Sequence, residues 1–164
     1  MTSQTQHFFS PLESLDFYMD NYHKLLKKLK VKSDLKQLGS LLKMGIEPAI
    51  QQILETTEYE ALVVTNTKRE IVWTNNGFKE MTGYAKGFAL GKRPSSFLQG
   101  TRTSEAKRVE IRKLLQQEKR FKAAITNYRK NGEEYVCAIE VLPLYDSKKK
   151  LTHFLAMEYE QHAA

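Results

Sequence analysis

The stretch IVWTNNGFKEMTGY (residues 71–84) decides the fold predicted for this chain. Its first four residues favour a β-strand, which ends at a pair of asparagines beginning with Asn75; asparagine favours turns and helix starts. Phe78 and Met81 follow three residues apart, on one face of a short helix. Gly83 ends that helix, because glycine adopts backbone angles that other residues avoid. The stretch therefore predicts a strand, a tight connection and a short helix.

Further strands are predicted on both sides of this stretch. Residues 59–65 and 70–74 are apolar and β-rich, and the polar turn between them predicts a hairpin. A helix is expected from about Ser104, a good cap, to residue 118. Alternating side chains and the turn at Asn131 then predict three longer strands, at residues 120–129, 134–145 and 151–159. The predicted order of elements is β-β-α-α-α-α-β-β-β.

The N-terminal part of the chain is predicted to be helical. One apolar seam recurs at spacings of three and four residues along a helix that ends near residue 31; it comprises Leu15, Tyr18, Tyr22, Leu25 and Leu29. Ser33 and Asp34 predict the start of a second helix, which ends near Gly45. A third short helix is expected around residues 48–54.

Composition limits the class of protein. The chain has 164 residues, and its 41% hydrophobic content with regular spacing predicts a packed core. No apolar run reaches the ~18 residues that cross a bilayer, and the N-terminus lacks a secretion signal, so we expect a cytoplasmic protein without membrane contact. The only cysteine, Cys137, excludes an internal disulfide and a cysteine-based zinc site, and no metal site is predicted.

The net charge of +7 raises the question of nucleic acid. Lysines cluster at residues 24–32, which is the best candidate for a nucleic-acid-binding face. A solvated helix edge that keeps the protein in solution explains the same cluster. A basic regulatory protein that contacts nucleic acid through the N-terminal helix is therefore an alternative hypothesis, and the solvated helix edge is the favoured one.

The order of elements, together with the motif GKRPSSFLQG (residues 91–100), resembles the PAS family of sensor domains and, more narrowly, its light-sensing LOV branch. The resemblance implies an α+β fold: a five-stranded antiparallel sheet with short helices and one longer connecting helix, preceded by the helical extension. The implied domains are residues 1–57, a helical cap or dimerisation element; 58–160, the PAS domain; and 161–164, a tail.

The resemblance also implies a ligand cavity on one face of the sheet, and strand alternation assigns residues to that face. The predicted cofactor-binding residues are Asn75, Ser95, Gln99, Arg112, Asn127, Cys137 and Glu158. Gln99, Arg112 and Asn127 match flavin-contacting positions of the LOV branch. Ser95 stands where that branch has its photoreactive cysteine, so no flavin–cysteine adduct is expected there. Cys137 and Glu158 stand at positions where the LOV branch has amide side chains. Amides suit the edge of a flavin ring because they supply both hydrogen-bond donors and acceptors.

Three ligand hypotheses follow from these positions. A small organic ligand fits the polar groups among apolar side chains, while a cavity filled by its own side chains explains the same pattern. The resemblance makes FMN the alternative cofactor, and the changed positions argue against it. Haem is not expected, because no histidine lies on the long helix or in the loop before it.

The opposite face of the predicted sheet is apolar and needs a cover. We expect a homodimer in which this face and the helical seam share one interface. Its predicted residues are Leu15, Tyr18, Tyr22, Leu25, Leu29, Val136, Leu142, Leu155, Met157 and Tyr159. A monomer whose helices fold over their own sheet is the alternative.

No residue pattern supports catalysis. Ser95 has no histidine partner in any motif, and no glycine loop that could cradle a phosphate is present. We therefore predict a stand-alone, non-catalytic PAS sensor or interaction module of bacterial type, which signals through homodimerisation or an unidentified partner protein. The competing class is a LOV-type flavin photoreceptor that works without a cysteinyl adduct.

Overall fold

The computed structural model describes residues 11–43 and 45–162. The chain divides into two compact units, Met1–Thr57 and Glu58–Ala164. The first ten residues of the predicted extension and the last two of the predicted tail lie outside the described residues. Among the described helices, none combines the length and the apolar character needed to cross a bilayer.

The first unit contains two helices, α1 (Pro11–Leu42) and α2 (Pro48–Thr56). The prediction of a helix break near residue 31 was wrong, because α1 continues through Ser33 and Asp34 without interruption. What changes there is the side of the helix that is apolar. At about 100° per residue, the seam of the N-terminal half points away from the side that carries Val31 and Leu38.

The two apolar sides of α1 differ in exposure. All five residues of the N-terminal seam are more than half exposed; they are Leu15, Tyr18, Tyr22, Leu25 and Leu29. Val31 and Leu38, on the other side, are buried. We call these five exposed residues the α1 stripe. One continuous helix thus presents an exposed apolar face in its first half and a buried one in its second.

The second unit is a five-stranded antiparallel sheet with its helices inserted after the second strand. Its elements are β1 (Ala61–Asn66), β2 (Ile71–Thr74), α3 (Asn76–Thr82), α4 (Lys86–Ala89), a 3-10 turn (Pro94–Ser96), α5 (Glu105–Gln116), β3 (Phe121–Tyr128), β4 (Glu134–Tyr145) and β5 (Leu151–Glu160). The strand order is β2-β1-β5-β4-β3. The predicted fold class is confirmed.

Local sequence explains the connection from β2 to α3. The Asn75 side chain accepts the backbone N–H of Phe78 at 3.2 Å and that of Leu62 at 2.9 Å. The same oxygen therefore caps α3 and ties the start of that helix to β1. Gly83 ends α3 in the left-handed region, at φ 77°.

The sheet has an inner and an outer face, which the register defines. One row crosses all five strands on the inner face: Thr74, Val63, Ala156, Val141 and Phe121. Beneath the inner face, a buried core includes Phe78, Met81, Leu98, Ile125 and Cys137.

The outer face is not uniformly apolar. Leu142, Leu155 and Met157 are buried, whereas Val136 is 40% and Tyr159 45% exposed. The prediction treated these five residues as part of one interface, whereas in the structure three of them are buried and two are exposed.

A carboxylate, Glu140, also lies on this outer face. Its side chain is buried and pairs with Arg120 and, at 3.2 Å, with Lys122. The sequence prediction missed this buried carboxylate, whose cationic partners offset the cost of removing it from water.

Candidate functional site

A cavity of about 450 Å³ lies between the inner face of the sheet, α5 and the 3-10 turn. Its volume falls within the ~300–1,000 Å³ typical of small-molecule sites. Apolar side chains form most of its wall, including Ile111 and Leu115 of α5 and Ile125, Ile139 and Phe154 of the sheet. All of its lining residues belong to the second unit.

The structure brings five of the seven predicted site residues together at this cavity. They are Ser95, Gln99, Arg112, Asn127 and Glu158. Asn75 is not among the lining residues, because its side chain is engaged as the cap of α3. Cys137 lies in the core next to the cavity, with its Sγ 3.8 Å from Oε2 of Glu158.

Glu158 is the most unusual polar group of the site. It lies on β5 between Ala61 of β1 and Ile139 of β4, and its side chain is buried. Burial raises the pKa of Glu158 from its ordinary value of 4.5 to about 7. Near neutral pH a large fraction of this side chain is therefore protonated, and a protonated carboxyl can donate a hydrogen bond into the cavity.

Two further titratable groups border Glu158. Burial raises the pKa of the Cys137 thiol well above its usual range, and the nearby Glu158 carboxyl adds to that effect. Burial likewise raises the pKa of the Tyr135 phenol. Both groups are therefore neutral at physiological pH, and Cys137 does not supply the thiolate that nucleophilic chemistry requires.

The mouth of the cavity is strongly basic. Four arginines line it: Arg69, Arg93, Arg108 and Arg112. Glu105 also lines the cavity; its carboxylate is 2.8 Å from Nη2 of Arg112 and 3.6 Å from Nη1 of Arg108. The cavity therefore runs from a cationic mouth to an interior that contains Asn127 and the buried Glu158.

Sequence reasoning found only one of these arginines. Arg108 precedes Arg112 by four residues, so one helical turn places both on the same side of α5. This spacing could have indicated Arg108 as a second arginine of the site. Arg69 and Arg93 are distant in sequence, and only the approach of the β1–β2 turn to the 3-10 segment brings both to the mouth. No sequence signal indicates that approach.

The chain belongs to the PAS domain family, whose model matches residues 60–159. It is 36% identical over 86 residues to the human voltage-gated inwardly rectifying potassium channel KCNH3, a match covering 52% of this chain and 8% of the channel. It is 31% identical over 113 residues to a blue-light photoreceptor of Listeria monocytogenes, covering 66% of this chain and 44% of that protein. The chain thus spans less than half the length of these curated relatives.

A solved light-oxygen-voltage domain, studied with a flavin analogue, is also similar. It superposes with a TM-score of 0.61 and 25% identity, over 71% of this chain and 87% of that one. Together these likenesses support a PAS domain of the LOV-like branch. PAS and LOV domains are signal-sensing modules and generally not catalytic.

Proposed function

We propose that this chain is a non-catalytic sensor module that binds a small organic ligand in its PAS cavity and signals through helix α1. The observation that supports the proposal best is the cavity itself. It combines an apolar wall with a few convergent polar groups, Gln99, Asn127 and Glu158, and this combination is typical of ligand sites.

The chemistry of the cavity suits binding better than turnover. Ser95 is the only hydroxyl of the 3-10 turn among the lining residues, and no histidine accompanies it there that could act as its base. Cys137 is protonated and buried. Two polar groups of the cavity, Gln99 and Asn127, are amides that offer hydrogen bonds with fixed directions, which orient a ligand without reacting with it.

A cavity-filling variant tests ligand binding. Ala156 lies on the cavity wall between Val63 and Val141, so Ala156→Trp should occupy the space that a ligand needs. Native mass spectrometry of the purified protein should show a bound small molecule in the wild type and none in Ala156→Trp. An unoccupied wild type that also takes up no molecule from a metabolite mixture would refute the proposal.

For the output, we propose a homodimer formed through the α1 stripe. Its five apolar side chains are each more than half exposed, and such a contiguous apolar surface on a helix indicates an interaction site. Val136 and Tyr159 offer further exposed apolar area on the sheet. A second copy of the chain supplies a matching stripe by symmetry.

Light scattering tests the dimer directly. Leu25→Glu places a charge in the centre of the α1 stripe and should convert a dimer to a monomer. Lys24→Glu makes a larger change of charge on the opposite side of the helix and should leave the dimer intact. A wild-type protein that is monomeric at all concentrations would refute homodimerisation. The α1 stripe would then be a binding surface for a different protein.

A second candidate, a flavin photoreceptor without an adduct, is favoured by one observation. Gln99, Arg112 and Asn127, which match flavin-contacting positions of the LOV branch, line the same cavity here. The similar Listeria protein is a blue-light photoreceptor. Visible absorption of the purified protein before and after incubation with FMN separates the candidates, because only a flavin-bound protein is yellow.

A further inference from the structure

We infer that Arg69 and Arg93 form an anion-binding subsite at the cavity mouth, and that the ligand is therefore an apolar molecule with an acidic group at one end. This inference rests on the proposed ligand-binding function and specifies the chemistry of the ligand. The acidic group is a carboxylate, sulfonate or phosphate, because all three present oxygen atoms that a guanidinium binds well.

The arginines at the mouth are not equivalent. Arg112 and Arg108 share the carboxylate of Glu105, and Arg108 also donates from Nη2 to the carbonyl of Gly100 at 3.1 Å. Their charge is therefore partly neutralised, and their donors are partly engaged within the protein. No carboxylate of the described residues forms an ion pair with Arg69 or Arg93. An incoming anion consequently finds more uncompensated positive charge at Arg69 and Arg93.

The protein backbone fixes the positions of these two residues. Arg69 lies in the β1–β2 turn with φ 67°, and its N–H donates to the carbonyl of Asn66 at 2.9 Å. The Asn66 side chain accepts the N–H of Lys68 at 2.9 Å and stiffens the same turn. Arg93 donates from Nε to the carbonyl of Lys68 at 3.2 Å, which ties its guanidinium to this turn. The same turn thus holds the backbone of Arg69 and the guanidinium of Arg93.

The far end of the cavity complements this subsite. Ile125 and Ile139 make the middle of the cavity apolar, and Asn127 and Glu158 give its interior hydrogen-bonding groups. A ligand with its acidic group at the mouth places an apolar body against the isoleucines. The reverse orientation would bring an acid next to the buried Glu158 carboxyl and is unfavourable.

Two fluorescent probes of nearly the same shape test the subsite. Anilinonaphthalene sulfonate carries an acidic group, and N-phenylnaphthylamine has the same skeleton without it. The wild type should bind the sulfonate probe more tightly. Arg69→Gln and Arg93→Gln should each weaken it by about fivefold, corresponding to ~1 kcal/mol for an exposed ion pair, and leave the neutral probe unchanged.

Arg112→Gln is the matched control, because the same charge is removed from a side chain that Glu105 already holds. It should change the affinity for the sulfonate probe by less than either of the other two variants. A loss confined to Arg112→Gln would overturn the assignment, as would equal binding of both probes by the wild type. Repeating the comparison with FMN and riboflavin shows whether a phosphate uses the same two arginines.

Ala156→Trp separates failure of the subsite from failure of the proposed function. It should abolish binding of both probes, which places them in the cavity and not on the α1 stripe. If both probes still bind Ala156→Trp, or if neither binds the wild type, the ligand-binding function fails and the subsite fails with it. If cavity binding holds and the arginine variants have no effect, only the subsite is refuted.

Discussion

Replacement of Glu158 by glutamine should change how the stability of this protein depends on pH. The folded protein favours the protonated form of Glu158, since its pKa is raised from 4.5 to about 7. A raised pKa in the folded state means that the favourable contribution is complete below the unfolded pKa and is lost as pH rises toward and through 7. The folded wild type should therefore lose stability between pH 5 and pH 8.

The magnitude follows from the same two pKa values. Between the two pKa values, the folded state holds one proton more than the unfolded state, so the free energy of unfolding falls by about 1.4 kcal/mol per pH unit. Integrated from pH 5 to pH 8, the loss is about 2.5 kcal/mol. Glu158 is only 6% exposed, so the shift is applied without a reduction for solvent screening.

Urea denaturation at pH 5, 6, 7 and 8 measures this loss. The free energy of unfolding of Glu158→Gln, relative to the wild type, should rise by about 2.5 kcal/mol over this range, because glutamine has no charged form. Glu140→Gln is the matched control, because Glu140 is a buried glutamate of the outer face that pairs with Arg120 and Lys122. The Glu140→Gln protein should still lose about 2.5 kcal/mol of its free energy of unfolding between pH 5 and pH 8, because it retains Glu158. A wild type and a Glu158→Gln protein with parallel pH profiles would refute the reasoning.

Two further predictions concern the connection between β1 and α3. Gly77→Ala should destabilise by about 3 kcal/mol or more, because an added Cβ would lie 1.8 Å from the carbonyl oxygen of Glu60; Gly87→Ala, whose Cβ meets nothing within 4 Å, should change thermal stability little. Asn75→Ala should cost about 2 kcal/mol because two N–H groups lose their acceptor, whereas Asn75→Asp keeps that acceptor. Equal melting temperatures of Gly77→Ala and Gly87→Ala, or of the two Asn75 variants, would contradict these explanations.

Much of the sheet was predictable, because its signals are local. The hairpin of β1 and β2 and the three later strands follow from alternation and from turn residues such as Asn131. The sidedness of Asn127 and Glu158 follows from the same period of two, and both residues line the cavity. These strand predictions, which depend on neighbours in sequence, therefore agree with the structure.

The structure differs from the sequence-based expectations at three places. Asn75 was expected at the ligand site because of its motif, yet its partner Leu62 lies 13 residues earlier on another strand. The change of apolar side along α1 resembles a helix break in sequence, although the backbone continues. Arg69 and Arg93 both line the cavity only because the folded chain brings the β1–β2 turn next to the segment that carries Arg93. The cytoplasmic location and the nucleic-acid alternative stay predictions.

The burial of Cys137 has a practical consequence for spectroscopy. It is the only cysteine of the chain, its side chain is inaccessible to solvent, and burial raises its pKa, so maleimide reagents should not modify it in the folded protein. A single cysteine introduced on the surface would then take a fluorophore or spin label at that one position. The native sequence is thus already suitable for site-specific distance measurements, without prior removal of its own thiol.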